Sequence, residues 1–267
     1  MIDPGLQGKV VLITGANHGI GAATALAFAA QGACVVVHYL AALPAEAGVS
    51  YTALHMVKGK FAADELASQI EKAGGRAAAV EGDLAVAETI PSLFEVAEAA
   101  FGPVDVLVNN AAHCENPDTL FTTTPGSLDR TFAVNTRAVV LMAAEYVQRY
   151  RRRNGAWGRI INLSTDAAQV FAGQIAYGAS KAAAEAFTRS LAIELGPLGI
   201  TVNTVAPGPI QTGWMSDELV QRVLPDIPLG RVGYPDDIAD AIVFLASQQA
   251  RWLTGQVLKV SGGHALP

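Results

Sequence analysis

The chain has 267 residues, of which 51% are apolar and 16% charged, and its formal net charge is −6. That length allows one large α/β domain with a substantial core, and that composition excludes a disordered chain, which needs low hydrophobicity and high net charge. The acidic balance offers nucleic acid no general electrostatic grip, and two cysteines, Cys34 and Cys114, make neither a disulfide framework nor a zinc cluster.

Residues 9–14, KVVLIT, are a β-branched run suited to a strand buried on both faces of a parallel sheet. Residues 19–31 are Ala-rich with helical spacing, and Gly32 is placed to stop them. CVVVHY at 34–39 predicts a second strand. A helix over 60–73 stops at Gly74-Gly75, and a third strand at 76–80 leaves Asp83 at its C-terminal end. Residues 86–101 predict a helix interrupted early by Pro91, and VDVLV at 104–108 a fourth strand. A long helix is expected over 125–153, a fifth strand at 159–163, a helix over 175–195 and a sixth strand at 200–203. A helix over 236–247 and a last strand at 256–260 complete the series. Strand and helix alternate throughout, so the expected fold class is α/β: a single doubly wound domain over 1–267. Its parallel sheet has about seven strands with helices on both faces. Two stretches exceed the usual connection of about six residues: a loop insertion over 41–59, and an excursion over 213–234 beyond a strand end. The N-terminal residues lack the basic run and apolar stretch of a secretory signal. The apolar runs are too short for a membrane span, so a cytoplasmic protein is expected.

Thr14-Gly15-Ala16-Asn17-His18-Gly19-Ile20-Gly21 joins the first strand to the first helix. Glycines allow a tight turn and let backbone N–H groups approach a pyrophosphate, and the helix N-terminus adds a positive dipole end. Its place after the first strand favours that role over an ordinary turn. Tyr177 and Lys181 lie at i,i+4 on a predicted helix and share a face. An ammonium beside a phenol favours the phenolate. Bringing a phenol from its ordinary value of about 10 to neutrality takes roughly 4 kcal/mol, more than one lysine usually supplies; a further cation beside it, such as a cationic nicotinamide ring, would help. In isolation the pair would be a surface Tyr and Lys.

Four blocks in order resemble the short-chain dehydrogenase/reductase family: the Thr14–Gly21 turn, Asn109-Asn110-Ala111, Tyr177-Gly178-Ala179-Ser180-Lys181, and Pro207-Gly208-Pro209-Ile210-Gln211-Thr212. The likeness runs from about Gly8 to Gly263. Pro228-Leu229-Gly230-Arg231 and Thr254-Gly255-Gln256 are similar to the 3-oxoacyl-(acyl-carrier-protein) reductase-like group. The resemblance implies a Rossmann-type domain and an NAD(P)(H)-dependent oxidoreductase that reduces a carbonyl or oxidises a secondary alcohol. It implies that Tyr177 is the general acid in reduction and the base in oxidation. Lys181 would bind the nicotinamide ribose and lower the Tyr177 pKa, and Asn135 would hold a proton-relay water. Gly15, Asn17, His18, Gly19, Ile20 and Gly21 would hold the cofactor at the turn, with Tyr39 at the end of the second strand. Asp83 and Leu84 would meet the adenine, Asn109 and Ala111 the adenosine ribose. Pro207, Gly208, Ile210 and Thr212 would meet the carboxamide end. For the substrate carbonyl two hydroxyls compete. Ser164 stands at the family's usual distance before Tyr177, whereas the strand motif Ile161-Asn162-Leu163 puts Thr165 in register. Ser164 is the favoured choice.

The sequence also departs from the family pattern. Ala112 replaces the usual glycine, where a methyl would crowd a close backbone approach, and Ser261 stands where an Asp is common. Leu198 replaces a basic residue frequent in acyl-carrier-protein reductases. Arg149, Arg151, Arg152 and Arg153 would either serve an acidic carrier or complement a helix C-terminus. NADP(H) is favoured over NAD(H), because no carboxylate follows the second strand until Glu46. Leu40 stands where an arginine is usual, so His18, His38, Lys58 and Lys60 are the candidate partners of a 2′-phosphate. A homotetramer or homodimer is expected through the Ala-rich helices 125–153 and 175–195. Residues 213–234, with Trp214, Met215, Leu219, Val220 and Val223, would form a substrate lid or a plain packing helix. The alternative function is a nucleotide-binding sensor or scaffold without turnover. Fold alone does not name the substrate.

Overall fold

The computed structural model describes residues 3–41, 59–169 and 172–265; the expected insertion lies, over 42–58, outside the described residues. Strands β1 (Val10–Ile13), β2 (Cys34–Tyr39), β3 (Arg76–Glu81), β4 (Val106–Asn109), β5 (Gly158–Leu163), β6 (Ile200–Pro207) and β7 (Val257–Val260) form one sheet. Its order is β3-β2-β1-β4-β5-β6-β7, and every pairing is parallel. The chain first builds outward from β1 to β3, then crosses back and builds the other way from β4. That reversal leaves a crevice at the strand C-termini beside β1, the usual ligand site of such sheets.

The helices are α1 (Gly19–Ala30), α2 (Gly59–Lys72), α3 (Thr89–Phe101), α4 (Pro125–Phe132), α5 (Val139–Arg152), α6 (Ile175–Leu195), α7 (Asp217–Val223) and α8 (Pro235–Ala246). Side chains alternate between two cores, as the strand period requires. Val11 and Ile13 of β1, with Val35 and Val37 of β2, pack against α1, α2 and α8. Val10, Leu12, Cys34 and Val36 pack on the opposite face against α3, α5 and α6. Each such aliphatic side chain contributes roughly 1.5–3 kcal/mol when fully buried. Burial on both faces is why these strands read as unbroken apolar runs. Among the described residues no helix is long and apolar enough to cross a membrane.

Three differences from the sequence expectation have a clear physical reason. The sixth strand continues to Pro207 because β5 pairs with it over 200–205 and β7 takes over across 204–207. Pro91 does not interrupt α3: it sits in the first turn, where backbone N–H groups have no intrahelical partner to lose. The expected long helix over 125–153 is divided by a π-helical turn, Ala133–Ala138, between α4 and α5. Tertiary hydrogen bonds hold that turn. Asn135 Nδ2 donates to Ser180 Oγ at 3.0 Å, and Thr136 Oγ1 to the Ser180 carbonyl at 3.0 Å.

Candidate active site

The C-terminal ends of the central strands surround a cavity of about 630 Å³. One end is the glycine turn. Gly15 and Gly19 have φ of +61° and +54°, a region that L side chains rarely adopt. A Cβ on Gly21 would collide with the Gly15 carbonyl and the Asn110 side chain. The turn's carbonyls are tied back: Asn110 Nδ2 donates to the Thr14 and Gly15 oxygens at 2.9 and 3.0 Å. Thr14 Oγ1 accepts the Asn110 and Ala111 amides at 2.9 and 3.0 Å. With its carbonyls engaged behind it, the turn and the N-terminus of α1 form a cradle suited to a pyrophosphate. Gly15, Asn17, His18, Gly19, Ile20 and Gly21 all line the cavity, as do Asp83, Leu84 and Ala111.

Some expected contacts lie elsewhere. Asn109 is buried and donates from Nδ2 to Asn162 Oδ1 at 2.9 Å, so its neighbour Asn110 faces the cavity instead. Tyr39 is 4% exposed and belongs to the core; Leu40 is the cavity residue at the end of β2. His38 is not available to a phosphate, because both ring nitrogens are engaged by backbone: the Gly15 N–H at 3.0 Å and the Gly82 carbonyl at 2.9 Å. Burial pushes its pKa down to about 4, against the pull of Gly82 and Asp83. Lys60 pairs with Asp64 at 2.8 Å on the surface of α2. Two arginines of the basic cluster at the end of α5 are engaged: Arg149 meets Glu98 and Glu145 at 2.6 Å each, and Arg153 meets Asp105 at 3.3 Å.

At the other end, α6 brings Tyr177 and Lys181 to the cavity. Gln174 at its start supplies no cap. Asp118, from the loop after β4, does so instead: its carboxylate accepts the Ala176 and Tyr177 amides, both at 3.0 Å. Lys181 is 2% exposed and donates from Nζ to the Leu163 carbonyl at 2.7 Å. Its Nζ lies 5.8 Å from the centre of the Tyr177 ring. Burial lowers the Lys181 pKa to about 8, with Cys114 opposing. Burial raises the Tyr177 pKa, with Cys114 and then Asp166 adding to it. The protein's own groups therefore hold the phenol protonated. Lowering its pKa requires a further positive charge, as the phenol arithmetic implies.

Asn135 does not line the cavity but braces its wall. Its Oδ1 accepts the His113 amide at 2.7 Å and its Nδ2 donates to the His113 carbonyl at 2.8 Å. The two competing hydroxyls point differently. Ser164 Oγ donates to Glu185 Oε1 at 2.6 Å, whereas Thr165 Oγ1 accepts the Ala167 amide at 3.2 Å and keeps its own proton to give. Pro207, Gly208, Ile210 and Thr212 line the cavity beside Trp214.

Sequence reasoning missed the charged wall of the loop after β4. Glu115 accepts from Arg130 Nε at 2.7 Å and lies 3.0 Å from His113 Nε2. Burial pulls its carboxyl up, but the hydrogen bonds from Arg130 and His113 outweigh this and hold it below the usual range. No local motif announces that group or the Asp118 cap, whose partners lie far along the chain.

A family model described as enoyl-(acyl carrier protein) reductase matches residues 15–265. A short-chain type dehydrogenase/reductase of Picea abies is 37% identical over 270 residues, covering 97% of this chain and 93% of that protein. NADPH-dependent aldehyde reductase 2, a chloroplastic protein of Arabidopsis thaliana, is 38% identical over 265 residues, covering 97% of this chain and 94% of its own. Among solved structures, the angucycline C-6 ketoreductase LanV with bound NADP superposes with a TM-score of 0.85 at 35% identity, covering 98% of this chain and 97% of that one. The matched span takes in the glycine turn, the Tyr177–Lys181 helix and the Pro207–Thr212 segment. The chain belongs to the short-chain dehydrogenase/reductase family of oxidoreductases.

Proposed function

We propose that this protein transfers hydride between NADP(H) and a small carbonyl or secondary alcohol, with Tyr177 as the proton-transfer group. The observation that carries this reading is the meeting of the glycine cradle with Tyr177 and Lys181 in one cavity. The residues fit a dinucleotide: a cradle that a Cβ would fill at Gly21, with the helix N-terminus behind it. When bound, the nicotinamide supplies the hydride. Tyr177 gives its proton to the carbonyl oxygen in reduction and takes it back in oxidation, a role worth roughly 10²- to 10⁴-fold. Lys181 holds the nicotinamide ribose and adds positive charge beside the phenol. Asn135 fixes the His113 backbone and the π-helical turn near that lysine, and so keeps the proton-relay side in shape. Thr165, rather than Ser164, polarises the substrate oxygen, since the Ser164 proton is committed to Glu185.

Preference for NADP(H) over NAD(H) rests on the end of β2, where Leu40 faces the cavity in place of a carboxylate. The Arabidopsis and LanV relatives, which use or hold the phosphorylated cofactor, support it. With His38 committed to backbone and Lys60 paired with Asp64, His18, which lines the cavity at the turn, is the phosphate partner. Residues 213–234 serve as the lid: Met215, Ile227 and Val232 form a small core with Trp214 packed on it, and Trp214 reaches the cavity. A homo-oligomer is part of the same reading. An apolar groove of Phe132, Ala133, Val140, Leu141 and Phe187 runs along the outer faces of α4, α5 and α6. A screen of aldehydes and ketones followed by nicotinamide absorbance tests the proposal, with Tyr177→Phe as the control. That variant is expected to bind NADPH nearly normally and to lose turnover. Undiminished turnover in it would sink the mechanism.

A further inference from the structure

We infer that His38 is the positioning residue of the adenosine half of the site, tying the phosphate turn to the adenine loop through the two nitrogens of one ring. The inference rests on the dinucleotide reading above. His38 is the penultimate residue of β2 and is 2% exposed. Nδ1 accepts the Gly15 N–H at 3.0 Å, and Nε2 lies 2.9 Å from the Gly82 carbonyl. An amide only donates and a carbonyl only accepts, so the partners dictate the tautomer: Nδ1 bare, Nε2 protonated, ring uncharged. The His38 carbonyl also accepts the Ala16 N–H at 2.8 Å, so the residue grips the turn at two consecutive amides. Across the ring, Gly82 leads directly into Asp83, and both line the cavity with Gly15. Gly82 is packed closely as well: a Cβ there would lie 2.6 Å from Thr89 Cγ2 and 2.9 Å from Leu93 Cδ2. One side chain therefore sets the distance between the segment that takes phosphate and the segment that takes adenine. Protonation at Nδ1 would break the bond to Gly15; burial of the ring keeps that form out of reach near neutrality.

Side-chain isosteres separate the two arms. Asn places an acceptor oxygen close to the position of Nδ1, and Gln an N–H donor close to that of Nε2. His38→Asn keeps the Gly15 bond and loses Gly82; His38→Gln keeps Gly82 and loses Gly15; His38→Leu loses both. The probes are 2′,5′-ADP for the adenosine half and nicotinamide mononucleotide for the other, titrated calorimetrically. Losing one arm is expected to weaken 2′,5′-ADP binding by about five- to tenfold, the equivalent of one hydrogen bond. His38→Leu should weaken it further, while nicotinamide mononucleotide binding holds. Wild-type affinity for 2′,5′-ADP in the Asn and Gln variants would overturn the inference. Equal weakening of both probes would also overturn it, since that marks general loosening. The unliganded protein gives a second readout: amide exchange at Gly15 should accelerate in the Gln and Leu variants and stay slow in Asn. Were the wild-type protein to bind neither 2′,5′-ADP nor NADPH, the dinucleotide reading would fall. The Gly15 exchange pattern would then still decide whether the clamp exists.

Discussion

A buried histidine held neutral makes stability depend on pH in one direction. The His38 pKa lies near 4 in the folded chain against 6.5 for the ordinary side chain, because burial penalises the cation. Between those values the unfolded chain binds the proton and the folded chain does not. The stability conferred by the neutral ring is thus complete above pH 6.5 and is lost as pH falls towards 4, by about 3 kcal/mol in all. Urea midpoints measured from pH 7 to pH 4 should fall more steeply for the wild type than for His38→Gln, which has no such titration. The hydroxyl pair gives a second test at this scale. Thr165→Val is expected to lower kcat by about 10²-fold, the typical effect of removing one donor to a developing oxyanion, and Ser164→Ala by much less. The reverse ranking in steady-state kinetics would restore Ser164. Helical spacing put Tyr177 and Lys181 on one face, but on spacing alone they would be a surface pair; the resemblance carried by the four sequence blocks singled them out. The exchange of Asn109 for Asn110 at the cavity was not legible in the sequence. The two follow one another where the strand ends, and only the partners, Asn162 below and Gly15 above, decide which turns inward.

Elements matter here through what starts and bends them. The helix carrying Tyr177 begins without a cap of its own and takes one from Asp118. Asp118→Ala leaves the Ala176 and Tyr177 amides without that acceptor. The expected cost is about 1 kcal/mol of stability, together with a fall in kcat as the first turn of α6 loosens; Asp118→Asn should recover part of both. Chemical denaturation and initial rates on the same preparations check this. A kcat untouched by a measurable loss of stability would limit Asp118 to a structural role. The helical course of 125–153 and of 175–195 was expected from the sequence, the first as one continuous helix. The π-helical turn between α4 and α5 could not be read there, because it follows from bonds between Asn135 or Thr136 and Ser180 on another helix. Propensity carries no information about such partners.

At the scale of the whole molecule, strand–helix alternation predicted a parallel sheet of about seven strands, and seven form it; parallel strands covered on both faces leave a distinctive apolar signature, whereas strand order leaves none in local sequence. Assembly is the open consequence of the outer surface. In the proposed homo-oligomer, the groove that includes Phe187, which is 38% exposed, is the contact surface. Phe187→Glu should lower the mass seen in multi-angle light scattering at micromolar concentration; a wild-type protein already monomeric there would refute the oligomer. Beneath the cavity, meanwhile, runs a row of buried polar groups. Asn109 bonds Asn162, Asn162 Nδ2 donates to Thr188 Oγ1 at 2.8 Å, and Thr188 meets Thr204 at 2.7 Å. It links β4, β5, α6 and β6. Valines and leucines attract one another in many alignments, but hydrogen bonds inside a low-dielectric core are satisfied in few. Were α6 to slip by one residue along the sheet, Thr188 would turn away by about 100° and leave Asn162 and Thr204 without it. Tyr177 and Lys181 ride on the same helix, so the row acts as a keyway. It admits α6 in one rotation only, and that rotation aims the tyrosine.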